Sequence, residues 1–343
     1  MPTVNVATAA QFVQAFNTRG SSSDTYVTVN ITDDIDFNED PYYKNKENFI
    51  NTTFATSEDL QKFIVNGNGH TISNIYIHPT KKFIGITDNV DAPIEFNNCK
   101  FEFISNNAHI IHIKASYAVI SFNNCTFNGR LYNLDSSTTF WSGGIMPFHI
   151  NANVEFTSCC FNLFITSVMG DRANYASCFA LGGNSNEFES CIFKIRNNTN
   201  KYISFFENST SSRNNLFENC AFFYNDTGTT KPNYTYHIRE RYAQNLCYGS
   251  DGCTINNTYF AAFGEPDNTP IIYIGSYSNP DSRVLSSFYD KNKLIIIGTN
   301  NSNSYNYQVP SDQLNIGMMN LTTDECKSPA KLSEIGYIFC EEI

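Results

Sequence analysis

The chain of 343 residues carries a formal net charge of −11, only 16% charged residues, and 29 Phe and 20 Tyr against a single Trp. That composition suits a long apolar interior beneath a neutral exterior rich in Asn, Ser and Thr. It excludes nucleic-acid binding, because no run of Lys or Arg supplies the basic patch that phosphate contacts need. Membrane insertion by a helix is excluded as well, since no stretch approaches 18 consecutive apolar residues.

The first six residues, Met1 to Val6, show no basic region followed by an apolar run, so no secretory signal is expected. Thr8 to Phe16 places Ala9, Phe12, Val13 and Phe16 at helical spacing, with Thr8 as N-cap and Gln11 completing a capping-box pattern. A short amphipathic helix is expected there, in an N-terminal cap of residues 1–24. Tyr26 to Phe37 reads as a first strand pair. Its Asp33, Asp34 and Asp36 read as outer-face and corner residues, because a calcium site wants more converging oxygens. Asp34 stands where Asn98 stands later in the chain. Residues 38–62 form a polar insertion.

A phrase then recurs. Ile94 to Phe101 reads IEFNNCKF, Ile120 to Phe127 ISFNNCTF, Val154 to Phe161 VEFTSCCF, Glu187 to Phe193 EFESCIF, Leu216 to Phe222 LFENCAF and Thr254 to Phe260 TINNTYF. Thr71 to Ile77, TISNIYI, reads as an earlier copy. The leading apolar residues Ile72, Phe96, Phe122, Phe156, Phe188, Phe217 and Ile255 are 24, 26, 34, 32, 29 and 38 residues apart. Such a period signals stacked units, none able to bury its own apolar face alone. Cys99 and Phe101 alternate with Lys100, the period of a strand with one buried face. Asn tolerates left-handed backbone, so each copy is a strand end, a tight corner and another strand. Asn74, Asn98, Asn124, Ser158, Ser190, Asn219 and Asn257 should line one corner.

A second set of short strands falls between the corners: Phe83 to Ile86, Ile110 to Ile113, Met146 to Ile150, Cys178 to Leu181, Tyr202 to Phe206 and Ile271 to Ile274. Two or three strands per turn, each stacked on its equivalent, make a parallel β-helix. The chain resembles the right-handed parallel β-helix, or pectate-lyase-like, superfamily. Val65 to Ile75, VNGNGHTISNI, is similar to that superfamily's early-coil segment, and the repeats over residues 25–280 fit it. The expected fold is therefore an all-β, right-handed parallel β-helix solenoid, with the N-terminal helix capping its open end. Residues 281–343 read as a C-terminal cap, attachment or oligomerisation segment.

Cys99, Cys125, Cys159, Cys191 and Cys220 share one motif position and read as a ladder of reduced, buried thiols. Without an accompanying CxxC pair they suggest no metal array. Cys247 with Cys253 and Cys326 with Cys340 are within reach of disulfides, but the odd total of 11 cysteines and the absent leader favour free thiols.

The resemblance implies little about activity, because the superfamily holds lyases, hydrolases, tailspikes, adhesins and inert fibres. Its polygalacturonase branch carries Asn-Thr-Asp, paired Asp, Gly-His-Gly and Arg-Ile-Lys signatures, which this sequence lacks. Function is then sought in the loops and outward faces. Aligning the second strand set puts His112 and His149 at equivalent outward positions, with Ala180, Ser204, His237 and Tyr273 further along. Asp171 and Arg172 lie in a loop near them. Tyr132, Trp141, Tyr234 and Arg239 sit in other excursions, where aromatic faces suit sugar rings. These nine residues, Tyr132, Trp141, His112, His149, Asp171, Arg172, Tyr234, His237 and Arg239, form the candidate glycan-binding set, with no cofactor and no metal expected. The expectation is a non-catalytic, virion-associated structural or receptor-binding protein: a phage fibre, tailspike or capsid decoration. It would work as a homotrimer with cell-surface glycan or other virion proteins as partners. The alternatives are a polysaccharide lyase or glycoside hydrolase on the same fold, or a secreted bacterial adhesin.

Overall fold

Apolar and polar residues alternate along the strands, and burial follows them. Phe148–Thr157 puts Phe148, Ile150, Ala152, Val154 and Phe156 inside while the residues between them face outward. The computed structural model describes residues 3–17, 26–41, 43, 52–53, 62–77, 82–86, 93–106, 108–133, 147–168, 175–182, 185–199, 202–208, 213–227, 251–263, 272–274, 283–285, 288–290, 294–296 and 319–321. They form one 14-stranded sheet, one 10-stranded sheet and one two-stranded sheet. All pairings among the described strands are parallel, and the chain passes back and forth between the two large sheets, at some steps leaving two successive strands in the first. The described residues form curled parallel sheets with one short helix, an all-β arrangement compatible with a β-helix-like solenoid.

Register makes the repeat physical. In the first sheet Val65, Phe96, Phe122, Phe156, Phe188, Phe217, Ile255 and Val284 lie side by side. In the second, Ile72, Phe101, Phe127, Phe161, Phe193, Phe222, Phe260 and Tyr289 do the same. Both sheets thus continue past residue 280. The rings stack nearly parallel: Phe96, Phe122, Phe156, Phe188 and Phe217 at 4.8–5.0 Å, Phe101, Phe127, Phe161, Phe193 and Phe222 at 4.6–5.2 Å. A third column, Phe148, Phe179 and Phe206, meets the second edge-on. Each ring so buried contributes roughly 1.5–3 kcal/mol.

The corners are as compact as the Asn and Ser residues suggest. Asn98, Asn124, Ser158, Ser190, Asn219 and Asn257 all have φ between 44° and 55°. The peptide N–H groups of Asn98, Asn124, Ser158, Ser190 and Asn219 donate to the next turn, as in Asn124 N to Thr157 O at 2.8 Å. Asn124 Nδ2 donates to Asn98 Oδ1 at 2.6 Å, and Asn257 Nδ2 to Asn219 Oδ1 at 2.7 Å. The next residue turns inward. The thiols of Cys125, Cys159, Cys191 and Cys220 reach the carbonyls of Phe96, Phe122, Phe156 and Phe188 at 3.2–3.4 Å. They are free and buried, and they act as weak donors between turns as well as small apolar groups. The side chains of Cys247, Cys253, Cys326 and Cys340 lie outside the described residues.

Two assignments at the start of the stack differ from the sequence reading. Thr71–Ile77 is the strand after a corner, since Thr71 pairs with Lys100 and Ile72 with Phe101. The corner belongs to Gly67-Asn68-Gly69-His70, two residues longer than its successors, while Asn74 (φ 56°) sits at a register shift within the strand. Asp34 accordingly matches Thr71 and not Asn98, because Ile35 pairs with Ile72. Its Oδ1 accepts the Thr71 N–H at 2.8 Å, and Asp36 Oδ1 accepts Asn74 Nδ2 at 2.7 Å. The two carboxylates are used to tie the first turn to the second. Gly67 is fixed by close approach: a Cβ there would lie 2.3 Å from the Asn98 carbonyl oxygen.

The helix Ala9–Asn17 has the expected cap, Gln11 N to Thr8 Oγ1 at 3.3 Å, with Gln11 Oε1 accepting from Ala7 N at 2.8 Å. Phe12 packs against Phe83, and Phe16 against Phe63 and Phe96.

Candidate functional site: a histidine cluster on one flank

The strands Lys82–Ile86, His109–Asn123, Phe148–Thr157 and Tyr175–Gly182 lie side by side in the first sheet. Their inward residues, Ile84, Ile111, Phe148 and Phe179, are buried and in register. The positions one residue on are Gly85, His112, His149 and Ala180. His112 thus lies between His149 on one side and Gly85, which has no side chain, on the other. The equivalence of His112, His149 and Ala180 is as the sequence indicates. The next position in line is Glu207, whereas Ser204 pairs with Ser177. The strand Ile272–Ile274 pairs with Leu294–Ile296 in the separate two-stranded sheet, so Tyr273 stands beside Ile295.

A third imidazole joins the pair. His109 and His112 have ring centroids 5.1 Å apart, His109 and His149 5.5 Å, and His112 and His149 4.7 Å. One nitrogen from each ring comes within 4.8 Å of the other two, the one such group of three among the described residues. His109 escapes simple alternation, in which residues three apart face opposite ways. Here Ile110 and Ile111 are both fully buried, so alternation is broken, and the His109 and His112 rings lie 5.1 Å apart. The preceding turn is held by Ser105 Oγ donating to Ala108 O at 2.7 Å. The spacing His109-x-x-His112 was the only available signal.

Burial sets the electrostatics. His112 is only 8% exposed, and its Nδ1 has no hydrogen-bond partner. Burial, the neighbouring His109 and His149, and the Lys82 ammonium hold His112 down to a pKa of about 3. Burial, then Lys82 and Lys114, also lower that of His149. Lys82 is in register with His109 and is itself shifted down by burial and by Lys114. Those shifts keep His112 and His149 neutral, and two lysines that attract anions rim the flank.

Of the other candidate residues, Tyr132 is described, and it stands apart from this cluster. Tyr132 lies in the second sheet, its hydroxyl 2.8 Å from that of Tyr76; burial and then this bond push its pKa up to about 12. Trp141, Asp171, Arg172, Tyr234, His237 and Arg239 lie outside the described residues. His70 and Asp34, 3.3 Å apart, pair at the first corner and belong to its bracing. Compared with known proteins, the chain matches no family model and no curated protein.

Proposed function

We propose that the chain is a right-handed parallel β-helix, closed at one end by its N-terminal helix, that serves as a non-catalytic binding rod. Its ligand class is an acidic cell-surface glycan. The observation that carries this reading is the flank built from His109, His112, His149, Lys82 and Lys114. Neutral imidazoles exchange hydrogen bonds with hydroxyls, and the two ammonium groups meet carboxylates or sulfates. A stack held by in-register strands keeps those groups at fixed spacing, which lowers the ordering cost of binding. The finer setting we propose is a virion-associated homotrimer, such as a fibre, tailspike or capsid decoration. The free, buried thiols of Cys99, Cys125, Cys159, Cys191 and Cys220 support a stack that is held without disulfides at those positions.

A glycan array followed by product analysis tests the reading. Acidic glycans should be retained uncut, and Lys114→Gln should weaken retention and its salt sensitivity. Release of shortened or unsaturated products would replace this reading with a polysaccharide lyase or hydrolase. Absence of any retained glycan would overturn it. Light scattering should give a three-chain mass, and a strictly monomeric mass would remove the trimer.

A further inference from the structure

We propose that His109, His112 and His149 form a binding site for a transition-metal ion, with zinc the best match, leaving one coordination position open. The inference stands on the cluster's own geometry and does not depend on the glycan reading. Three imidazoles with an open fourth position are an established zinc donor set, with Zn–N of about 2.0–2.1 Å. A tetrahedral ion ligated by imidazoles at that distance would set their ring centroids about 5 Å apart. The observed separations of 5.1, 5.5 and 4.7 Å bracket that value. The rings are also mutually inclined, at 41°, 51° and 84°, so they are not a flat stack.

Burial gives the second argument. A buried polar nitrogen without a partner costs free energy, so such atoms call for an explanation, a bound ion among them. His112 Nδ1 is such an atom, on a ring whose centroid lies 5.1 and 4.7 Å from those of His109 and His149. The scaffold supports the placement: His112 and His149 come from neighbouring strands locked in register, and His109 from the start of the same strand as His112. Imidazole nitrogens of this kind prefer Zn²⁺, Cu²⁺, Ni²⁺ or Co²⁺ over Ca²⁺ or Mg²⁺, which take oxygen ligands.

Lys82 and Lys114 make the site distinctive. Both act electrostatically on His149, so both oppose a bound cation. They also favour an anion at the open position, where a hydroxide or a ligand carboxylate would offset half of a divalent ion's charge. Removing one lysine should therefore tighten the metal, the opposite of what loss of a structural residue would do.

The test uses the full chain stripped with a chelator and titrated with Zn²⁺ by calorimetry, and with Co²⁺ by visible absorption. One ion per chain and the d–d bands of tetrahedral Co²⁺ are expected. His109→Gln, His112→Gln and His149→Gln should each weaken binding by more than about tenfold. Lys114→Gln should tighten it severalfold. Far-UV circular dichroism confirms that each variant is folded. Should a histidine variant fail to fold, imidazole ¹⁵N resonances of the wild type provide the readout, with those three residues shifting on Zn²⁺ addition. No uptake at about 100 µM free Zn²⁺ would overturn the proposal, as would full affinity in a folded His149→Gln or shifts confined to other histidines. Metal uptake without glycan retention would sink only the glycan reading, and retention by the stripped protein without metal uptake would sink only this one.

Discussion

At the scale of single residues, the corner asparagines and their serine counterparts work mainly through backbone conformation. Asn124 has φ 52°, a left-handed value that costs a typical L-residue roughly 1–2 kcal/mol. Its peptide N–H is already paired with Thr157 O, and its exposed side chain adds the bond to Asn98. Asn124→Leu should therefore lower stability by about 1–2 kcal/mol, while Asn124→Gly keeps the φ, loses the side-chain bond and falls between the two. Urea melts check the order; a Leu variant as stable as the parent would remove the conformational argument. Asp34 provides a pH-dependent test. The Thr71 N–H donating to its carboxylate, ahead of opposing burial and the favourable His70 bond, lowers its pKa below the ordinary 3.8. A depressed carboxyl contributes stability that is present above its unfolded pKa and lost as pH falls through the folded one. The ¹³C titration of Asp34 should have its midpoint below 3.8, and His70→Ala should move it part of the way up. Corner chemistry was readable because few side chains accept that backbone. The misplaced first copy shows the limit: Thr71 to Ile77 repeats the letters of a corner, and only hydrogen-bond register shows it to be the following strand.

At the scale of the element, the thiol column explains why cysteine recurs where the chain turns inward. The position must be small, apolar enough for full burial, and able to meet a carbonyl of the turn before. Cys159 and Cys191 satisfy all three, at 3.2 and 3.3 Å from the carbonyls of Phe122 and Phe156. Burial, the largest influence on each, pushes both thiols well above their ordinary pKa. Thiolate is the reactive form, so these two should resist iodoacetamide and disulfide reagents at neutral pH and react fully once the chain is unfolded. Peptide mapping of native protein reads this directly, and rapid labelling at either position would mean that the column opens or is not buried. The sequence pointed to buried thiols because the five cysteines share one motif position. It could not point to the histidine cluster as fully. His112 and His149 were visible through strand alignment, but His109 depends on the break in alternation at the adjacent buried Ile110 and Ile111, which no alternation rule anticipates.

At the scale of the whole molecule, the argument turns on how far a perturbation travels. Each turn of the chain contacts mainly the turn before and the turn after, so stability should behave as a sum of unit and nearest-neighbour terms. The Phe columns make this measurable. Phe122 and Phe156 are adjacent, with centroids 4.9 Å apart and planes 10° from parallel. Phe96 and Phe217 belong to the same column, but Phe122, Phe156 and Phe188 lie between them. A double-mutant cycle with Phe122→Leu and Phe156→Leu should show coupling of about 0.5–1.5 kcal/mol, the usual worth of a stacked pair beyond area burial. The cycle with Phe96→Leu and Phe217→Leu should be additive to within about 0.3–0.5 kcal/mol, as for distant sites. Leu keeps most of the apolar volume, so the four single variants should retain enough stability for reversible denaturant titration. Equal coupling in the two cycles would show that the stack responds as one cooperative block, in which case a ligand on the histidine flank would stabilise the ends as much as the middle. Coupling confined to neighbours means that ligand at Lys82–Ile86, His109–Asn123 and Phe148–Thr157 protects those turns first. Hydrogen exchange on the ligand-bound protein should then slow most in those strands, with protection fading along the column in both directions.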